Sequence, residues 1–346
     1  MCILRINIKE STMLILGIES SCDETGLALY SEDHGLIAHL VNSQIDLFTE
    51  YGGVIPEIAA RDHSAKIIGI LKQLLKQTNH KLNDIDLIAY TAGPGLIGSL
   101  MIGETVAKTI ANVLNIELLP INHLEGHILA PGLEEDGLEP PYLCLLVSGG
   151  HTQIIRCDGY GKYKIIGETI DDACGEAFDK VGKLLNLEYP GGPKVSQLAE
   201  NGDSQRFKFP RAMMKDKNLN FSFSGLKTAV LYALEDLNED DHADVAASFQ
   251  EAVIDALTTK LMWAVQDTKI HKLVCSGGVA SNKLLRERLK QMAVNNNLEV
   301  SYPRMEFCTD NAAMIAYAGF IRKKFKLPTY STNYARPRWP LGELYD

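Results

Sequence analysis

Leu14-Ile-Leu-Gly-Ile-Glu-Ser-Ser-Cys-Asp-Glu-Thr-Gly-Leu-Ala-Leu29 reads as a strand, a polar turn and a second strand, and Leu143-Cys-Leu-Leu-Val-Ser-Gly-Gly-His-Thr-Gln-Ile-Ile155 repeats that pattern. Aliphatic runs flank hydroxyl and glycine residues in both, which is a hairpin signal. Two further elements recur in the same order. Leu87-Ile-Ala-Tyr-Thr-Ala-Gly-Pro-Gly95 runs into a helix over Leu100 to Val113, and Lys272-Leu-Val-Cys-Ser-Gly-Gly278 runs into one over Asn282 to Met292, with Asn282 as N-cap. Ile116-Glu-Leu-Leu-Pro120 precedes a helix from His123, and Leu298-Glu-Val-Ser-Tyr-Pro303 precedes one from Asp310 to Ile321. Three pairs in matching order point to a duplicated α/β unit.

The expected division is an N-terminal extension over 1–12, a first lobe over 13–138, a second lobe over 139–330 and a tail over 331–346. Met13 opens the first strand and competes with Met1 as the native start. The second lobe is longer because of an insertion from about 166 to 242. It holds Glu176-Ala-Phe-Asp-Lys180, Tyr189-Pro-Gly-Gly-Pro193 and Phe221-Ser-Phe-Ser-Gly-Leu-Lys227, read as ligand-facing loops from their Gly and Pro punctuation. Two copied lobes, each opening on a glycine-and-hydroxyl hairpin, suggest by analogy an α/β fold of the actin-like ATPase type, with a nucleotide cleft between the halves. Backbone N–H groups at such turns form anion cradles, which favours phosphate or acyl-phosphate chemistry.

Composition limits the partners. The 346 residues carry 34 Lys+Arg against 44 Asp+Glu, a net charge of −10, so no bulk positive field recruits nucleic acid or anionic membrane. An RNA partner would need a local patch or a second protein. Phe207-Lys-Phe-Pro-Arg211, Lys323-Lys324 with Lys326, and Arg336-Pro-Arg-Trp339 are the candidate spots. The seven cysteines form no C-x-x-C pair, against a disulfide framework or thiolate zinc site and in favour of a reducing cytoplasm. The most apolar stretch, Leu96 to Leu114, is interrupted by Glu104 and Lys108, so no membrane span is expected. Met1 to Thr12 has no apolar core of a secretion signal, and no Arg-rich leader precedes the first strand, which favours a bacterial over a mitochondrial origin.

Asn122-His123-Leu124-Glu125-Gly126-His127 places two imidazoles four residues apart, with Asn122 as N-cap. At ~100° per residue they lie about 40° apart on one helix face, close enough to chelate one ion, while Glu125 lies about 200° round from His123. This is not the H-E-x-x-H of zinc proteases. Capping or core hydrogen bonding explains two histidines equally well without a third ligand. The duplication offers one: the equivalent helix of the second lobe begins at Cys308-Thr309-Asp310-Asn311, and related helices facing across the cleft would bring in the Asp310 carboxylate. Asp310 is alternatively an ordinary N-cap. Two imidazoles and a carboxylate suit ferrous iron, with zinc as the alternative.

Taken together the motifs resemble the tRNA N6-adenosine threonylcarbamoyltransferase family, also known as O-sialoglycoprotein endopeptidase. The resemblance runs from about Met13 to Leu344 through the segments above and Tyr51-Gly-Gly-Val-Ile-Pro-Glu57. It implies transfer of threonylcarbamoyl from threonylcarbamoyl-AMP to N6 of adenosine 37 in tRNAs reading codons that begin with A. It also implies one Fe2+ per subunit on His123, His127 and Asp310. Leu146, Val147, Ser148, Gly149 and Gly150 would line the acyl-phosphate region, and Asp179, Gly192 and Asn282 the nucleoside. Implied partners are tRNA, a small paralogue of the same fold and a P-loop ATPase; direct ATP binding and homodimerisation stay open. Asp23, at the first hairpin tip, is the expected cleft carboxylate, with turn chemistry as its alternative. A metalloprotease, a small-molecule kinase and a non-catalytic binding partner are the rival readings.

Overall fold

The computed structural model describes residues 13–133, 138–215, 217–329 and 334–344. The expected N-terminal extension lies outside the described residues. The first lobe contains β1 (Leu14–Glu19), β2 (Glu24–Ser31), β3 (Gly35–Ser43), α1 (Ile45–Phe48), α2 (Pro56–Thr78), β4 (Leu87–Gly93), α3 (Ile97–Leu114), β5 (Glu117–Asn122) and α4 (His123–Leu129). From the second come β6 (Tyr142–Val147), β7 (Thr152–Gly159), β8 (Lys162–Glu168), α5 (Cys174–Leu184), α6 (Gly191–Ala199), α7 (Ser224–Leu234), α8 (His242–Thr268), β9 (Lys272–Ser276), α9 (Lys283–Asn296), β10 (Glu299–Ser301) and α10 (Ala312–Lys324).

The sheets run β3-β2-β1-β4-β5 and β8-β7-β6-β9-β10, so the second repeats the first strand for strand. In each, two antiparallel hairpin pairings adjoin two parallel ones. This is the actin-like ATPase fold. Strands β1 and β6 are buried along their whole length, because each lies in the middle of its sheet with both faces covered.

The helices that close the lobes tie the halves together. Although α10 follows β10 in the chain, it packs on the first sheet: a Cβ at Gly17 of β1 would fall 2.4 Å from the Ala312 carbonyl oxygen, so only glycine admits this approach. Conversely α4 reaches the second sheet, its His127 and Ile128 carbonyls accepting from Ser276 Oγ (2.7 Å) and Tyr142 Oη (3.4 Å). Each lobe's last helix thus braces the other's sheet, and the N-terminal ends of α4 and α10 meet.

The insertion is more helical than its punctuation predicts. Glu176 to Lys180 lies inside α5, Gly191 to Pro193 is the first turn of α6, and Ser224 opens α7. Gly and Pro are tolerated in a first helical turn because its N–H groups have no intrahelical partner. These segments are therefore helix N-termini, with α5 and α6 starting at the cleft.

The three proposed basic and aromatic spots behave differently from one another. Trp339 is 1% exposed and packs with Leu341 and Leu344 in the first lobe's core, while the Arg336 guanidinium pairs with Glu343. Phe207 and Phe209 stack on each other against the second core, and Arg211 pairs with Asp255. Both are packing features, because their rings bury apolar area that the surface cannot hold. Lys324 and Lys326 stay exposed at the end of α10. No helix among the described residues is long and apolar enough to cross a membrane.

Candidate metal centre and substrate cleft

Three side chains converge where α4 meets the start of α10. The His123 and His127 Nε2 atoms lie 3.4 and 3.0 Å from Asp310 Oδ1, and all three ligand atoms fall within 4.8 Å of one another. Asn122 Oδ1 caps α4 by accepting from the Leu124 and Glu125 amides. At α10 the N-cap is Asn311, whose Oδ1 accepts from the Met314 amide at 3.0 Å. The capping role that competed for Asp310 therefore falls one residue later, leaving its carboxylate free to face the imidazoles.

The donor set fits a transition metal. Ligands held at about 2.1 Å from one ion and about 90–109° apart are separated by about 3.0–3.4 Å, the size of the two His–Asp separations seen here. Imidazole and carboxylate suit iron or zinc.

Behind His123 stands Glu19, a residue that sequence reasoning passed over as part of a strand. Its Oε2 lies 3.0 Å from His123 Nδ1 and accepts from Thr91 Oγ1 at 2.6 Å, while Oε1 accepts from the Ser21 amide at 2.6 Å. A carboxylate on the far nitrogen fixes a ligating imidazole's tautomer and aims its other nitrogen. Burial opposes ionisation of Glu19, but His123 and these bonds hold its pKa below the ordinary value. Burial likewise opposes charge on His123 and Asp310. Their mutual attraction outweighs it, raising the one and lowering the other. His127 has no such support: its Nδ1 is buried without a hydrogen-bond partner among the described residues.

Glu125 points the other way, as its helical phase predicts. It is fully buried, with Arg322 Nε at 2.8 Å and Tyr163 Oη at 3.2 Å. A glutamate locked in that ion pair has no access to a peptide bond at the imidazoles, which removes the geometry of a zinc protease.

The triad lies at the floor of a cleft of about 1640 Å³. His123 and Asp310 line it, and His127 lies just behind. On the first-lobe side are Ser21, Asp23 and Glu24. The expected Asp23 is in the cleft, hydrogen-bonded to the neighbouring Glu24 carboxyl; burial first, then Asp310 and Asp23, push the Glu24 pKa well above the carboxylate range. The two carboxyls are brought side by side only once the turn is folded.

Opposite stands the turn Ser148-Gly149-Gly150-His151. It is closed by Ser148 N–H to the His151 carbonyl (2.8 Å) and His151 N–H to Ser148 Oγ (3.1 Å). A Cβ at Gly149 or Gly150 would meet nothing within 4 Å, so this backbone borders open cleft. Burial, with the two nearby imidazoles, pushes His151 down to about 4, so it stays neutral. Leu146 and Val147 do not line the cleft. They end β6 with alternate side chains in the two cores, as a central strand requires.

The far wall carries the expected nucleoside residues. Asp179 Oδ1 accepts from the Gly192 amide at 3.1 Å, and burial raises its pKa despite that bond. Asn282 caps α9 through Leu285 N–H (3.0 Å) and donates from Nδ2 to Ser196 Oγ (2.8 Å) and Gln250 Oε1 (2.7 Å).

Comparison with known proteins identifies the family. The family model described as TsaD: tRNA N6-adenosine threonylcarbamoyltransferase matches residues 35–317. A protein of that name from Methylobacillus flagellatus is 51% identical over 336 residues, spanning 96% of this chain and 99% of its own. The chain belongs to this family. It is a transferase of the threonylcarbamoyl group to tRNA.

Among solved structures, full-length HypF in its phosphate- and nucleotide-bound form superposes with a TM-score of 0.62 at 12% identity. The match covers 91% of this chain and 47% of HypF. Component A of the Acidaminococcus fermentans (R)-2-hydroxyglutaryl-CoA dehydratase gives 0.52 at 13% identity, covering 88% and 96%. At such identities the likeness is one of fold.

Proposed function

We propose that the cleft holds threonylcarbamoyl-AMP and that the reaction is attack of N6 of adenosine 37, in tRNAs reading codons that begin with A, on its carbamoyl carbon, with AMP as leaving group. The observation that carries this reading is the convergence of His123, His127 and Asp310 beneath a cleft whose opposite wall is the Ser148-Gly149-Gly150 turn. His123, His127 and Asp310 are the residues that would hold one Fe2+, with zinc as the alternative. Such an ion supplies Lewis acidity toward the threonylcarbamoyl oxygens.

The chain's own groups do the rest. The Gly149 and Gly150 amides at the turn are aimed as donors toward the phosphate, where negative charge grows as AMP departs. Asp179, Gly192 and the Asn282 network position the nucleoside. The N6 lone pair is delocalised into its ring, so orientation contributes more than a strong base. Asp23, beside Glu24 in the cleft, accepts the proton that N6 sheds. Leu146 and Val147 act only by holding the turn at the end of β6.

The net charge of −10 leaves tRNA capture to other surfaces. A small paralogue of the same fold and a P-loop ATPase are the proposed cytoplasmic partners, and a homodimer and direct ATP binding remain part of the proposal to be tested with them.

The test supplies threonylcarbamoyl-AMP, unmodified tRNA and the partner proteins, and detects the modified nucleoside by mass spectrometry, alongside metal analysis of anaerobically purified protein. Product formation by the wild type, lost with the metal in His123→Ala, is the expected result. Full activity in a metal-free His123→Ala protein would overturn the metal's role. Peptide cleavage abolished by Glu125→Ala would overturn the transferase reading.

A further inference from the structure

Asn282 is placed to touch a nucleoside, yet its side chain is already committed. The Leu285 amide can only donate, so the group that caps it must be Asn282 Oδ1, and Nδ2 must be the donor to Ser196 and Gln250. The same logic continues one residue further. Because Nδ2 only donates, the Gln250 atom facing it at 2.7 Å must be Oε1. The orientation of the Gln250 amide is therefore dictated by a backbone N–H two links away.

Gln250 lies on α8 and is 7% exposed, yet it is one of the residues lining the cleft. Its Nε2 has no hydrogen-bond partner among the described residues, and its Oε1 keeps a second lone pair. Ser196, the other recipient from Asn282, lies one turn after Gly192 on α6 and lines the same wall.

We propose that Gln250 is the residue that selects the base of the adenylate, reading the 6-amino group with Oε1 and the adjoining ring nitrogen with Nε2, while Asn282 sets its orientation. This rests on the reading that the cleft binds an adenylate. A glutamine amide with fixed ends is complementary to adenine, which places a donor beside an acceptor. A 6-oxo purine sets its carbonyl against Oε1, leaving two acceptors face to face with no hydrogen bond between them. Discrimination then comes from the unpaired groups in the wrong complex as much as from the bonds in the right one.

The experiment measures binding of AMP and of IMP, which differ only at position 6 and its neighbouring nitrogen, to the full chain by isothermal titration calorimetry. The wild type should prefer AMP by about tenfold or more. Gln250→Leu should lose that preference while keeping its IMP affinity. Asn282→Asp is the sharper variant. It retains an oxygen to cap Leu285 but turns the neighbouring donor into an acceptor, so the Gln250 amide must rotate and the preference should swing toward IMP. Equal binding of AMP and IMP by the wild type, or undiminished AMP preference in both folded variants, overturns the assignment while leaving the cleft an adenylate site. Failure of the folded wild type to bind either nucleotide overturns the underlying reading of the cleft as well.

Discussion

The turn between β1 and β2 and the turn between β6 and β7 occupy equivalent places in duplicated sheets and carry opposite chemistry. The first is acidic: Glu19 ends its strand fully buried, and Asp23 and Glu24 follow in the cleft. The second has no carboxylate between Val147 and Thr152, only a serine, two glycines and a neutral histidine. Duplication fixes where a turn points, and side chains then decide what charge it tolerates. One side gathers carboxylates that favour a cation, and the other offers amides to an anion. The proposed substrate, a carbonyl joined to a phosphate, matches such a pair.

The contrast can be broken most severely on the acidic side. Asp310→Ala removes the proposed ligand that comes from the second lobe. It should abolish bound metal and lower transfer more than about 100-fold, beyond the 10–100-fold usual for a residue behind the ligands; metal analysis and the transfer assay check both. Glu19→Gln keeps the shape but takes the charge from behind His123. Metal affinity should fall about 10–100-fold in a chelator competition, with the fold retained.

On the opposite turn the expected effects are smaller. At Gly175 a Cβ would sit 2.7 Å from the Ser148 carbonyl oxygen, whereas at Gly149 it would meet nothing. Gly175→Ala should therefore displace the turn and raise KM for threonylcarbamoyl-AMP by about tenfold, with metal content unchanged, and Gly149→Ala should do less.

The smallest effect concerns His63 on α2, which bonds Thr25 Oγ1 (2.7 Å) and the Cys22 carbonyl (2.9 Å) and so steadies the acidic turn. Burial lowers its pKa, although the Cys22 bond opposes this. Below about pH 6.5 the unfolded chain takes up a proton that the folded chain refuses. Its contribution is therefore complete above that pH and is lost progressively as pH falls toward the lowered folded value. Denaturant titrations between pH 7 and 5 should show a shallower loss in His63→Gln than in the wild type.

Much of this was legible in the chain. Strand–turn–strand units and strand–glycine–helix units are patterns of neighbouring residues, so the duplication could be read from periodicity and repetition, whereas the edge strands β3 and β8 and the order of the sheets could not. The helical phase that puts His123 and His127 on one face and Glu125 on another could also be read. The insertion's helices were not legible, because Gly and Pro mark a helix's first turn as readily as a loop. Nor was the burial of Trp339, since an Arg-Pro-Arg-Trp run looks the same whether it faces RNA or a core.

What the sequence alone determined was the set of local geometries, because hydrogen-bonded turns and side-chain periods depend on residues a few positions apart. Tertiary structure decided which of them became a site. Glu19 reaches His123 across 104 positions, and Asp310 reaches His127 across 183. Gln250 takes its orientation from a residue 32 positions away. Such pairings exist only after the two sheets exchange their closing helices, and burial then gives each one its strength by removing the water that would compete for it.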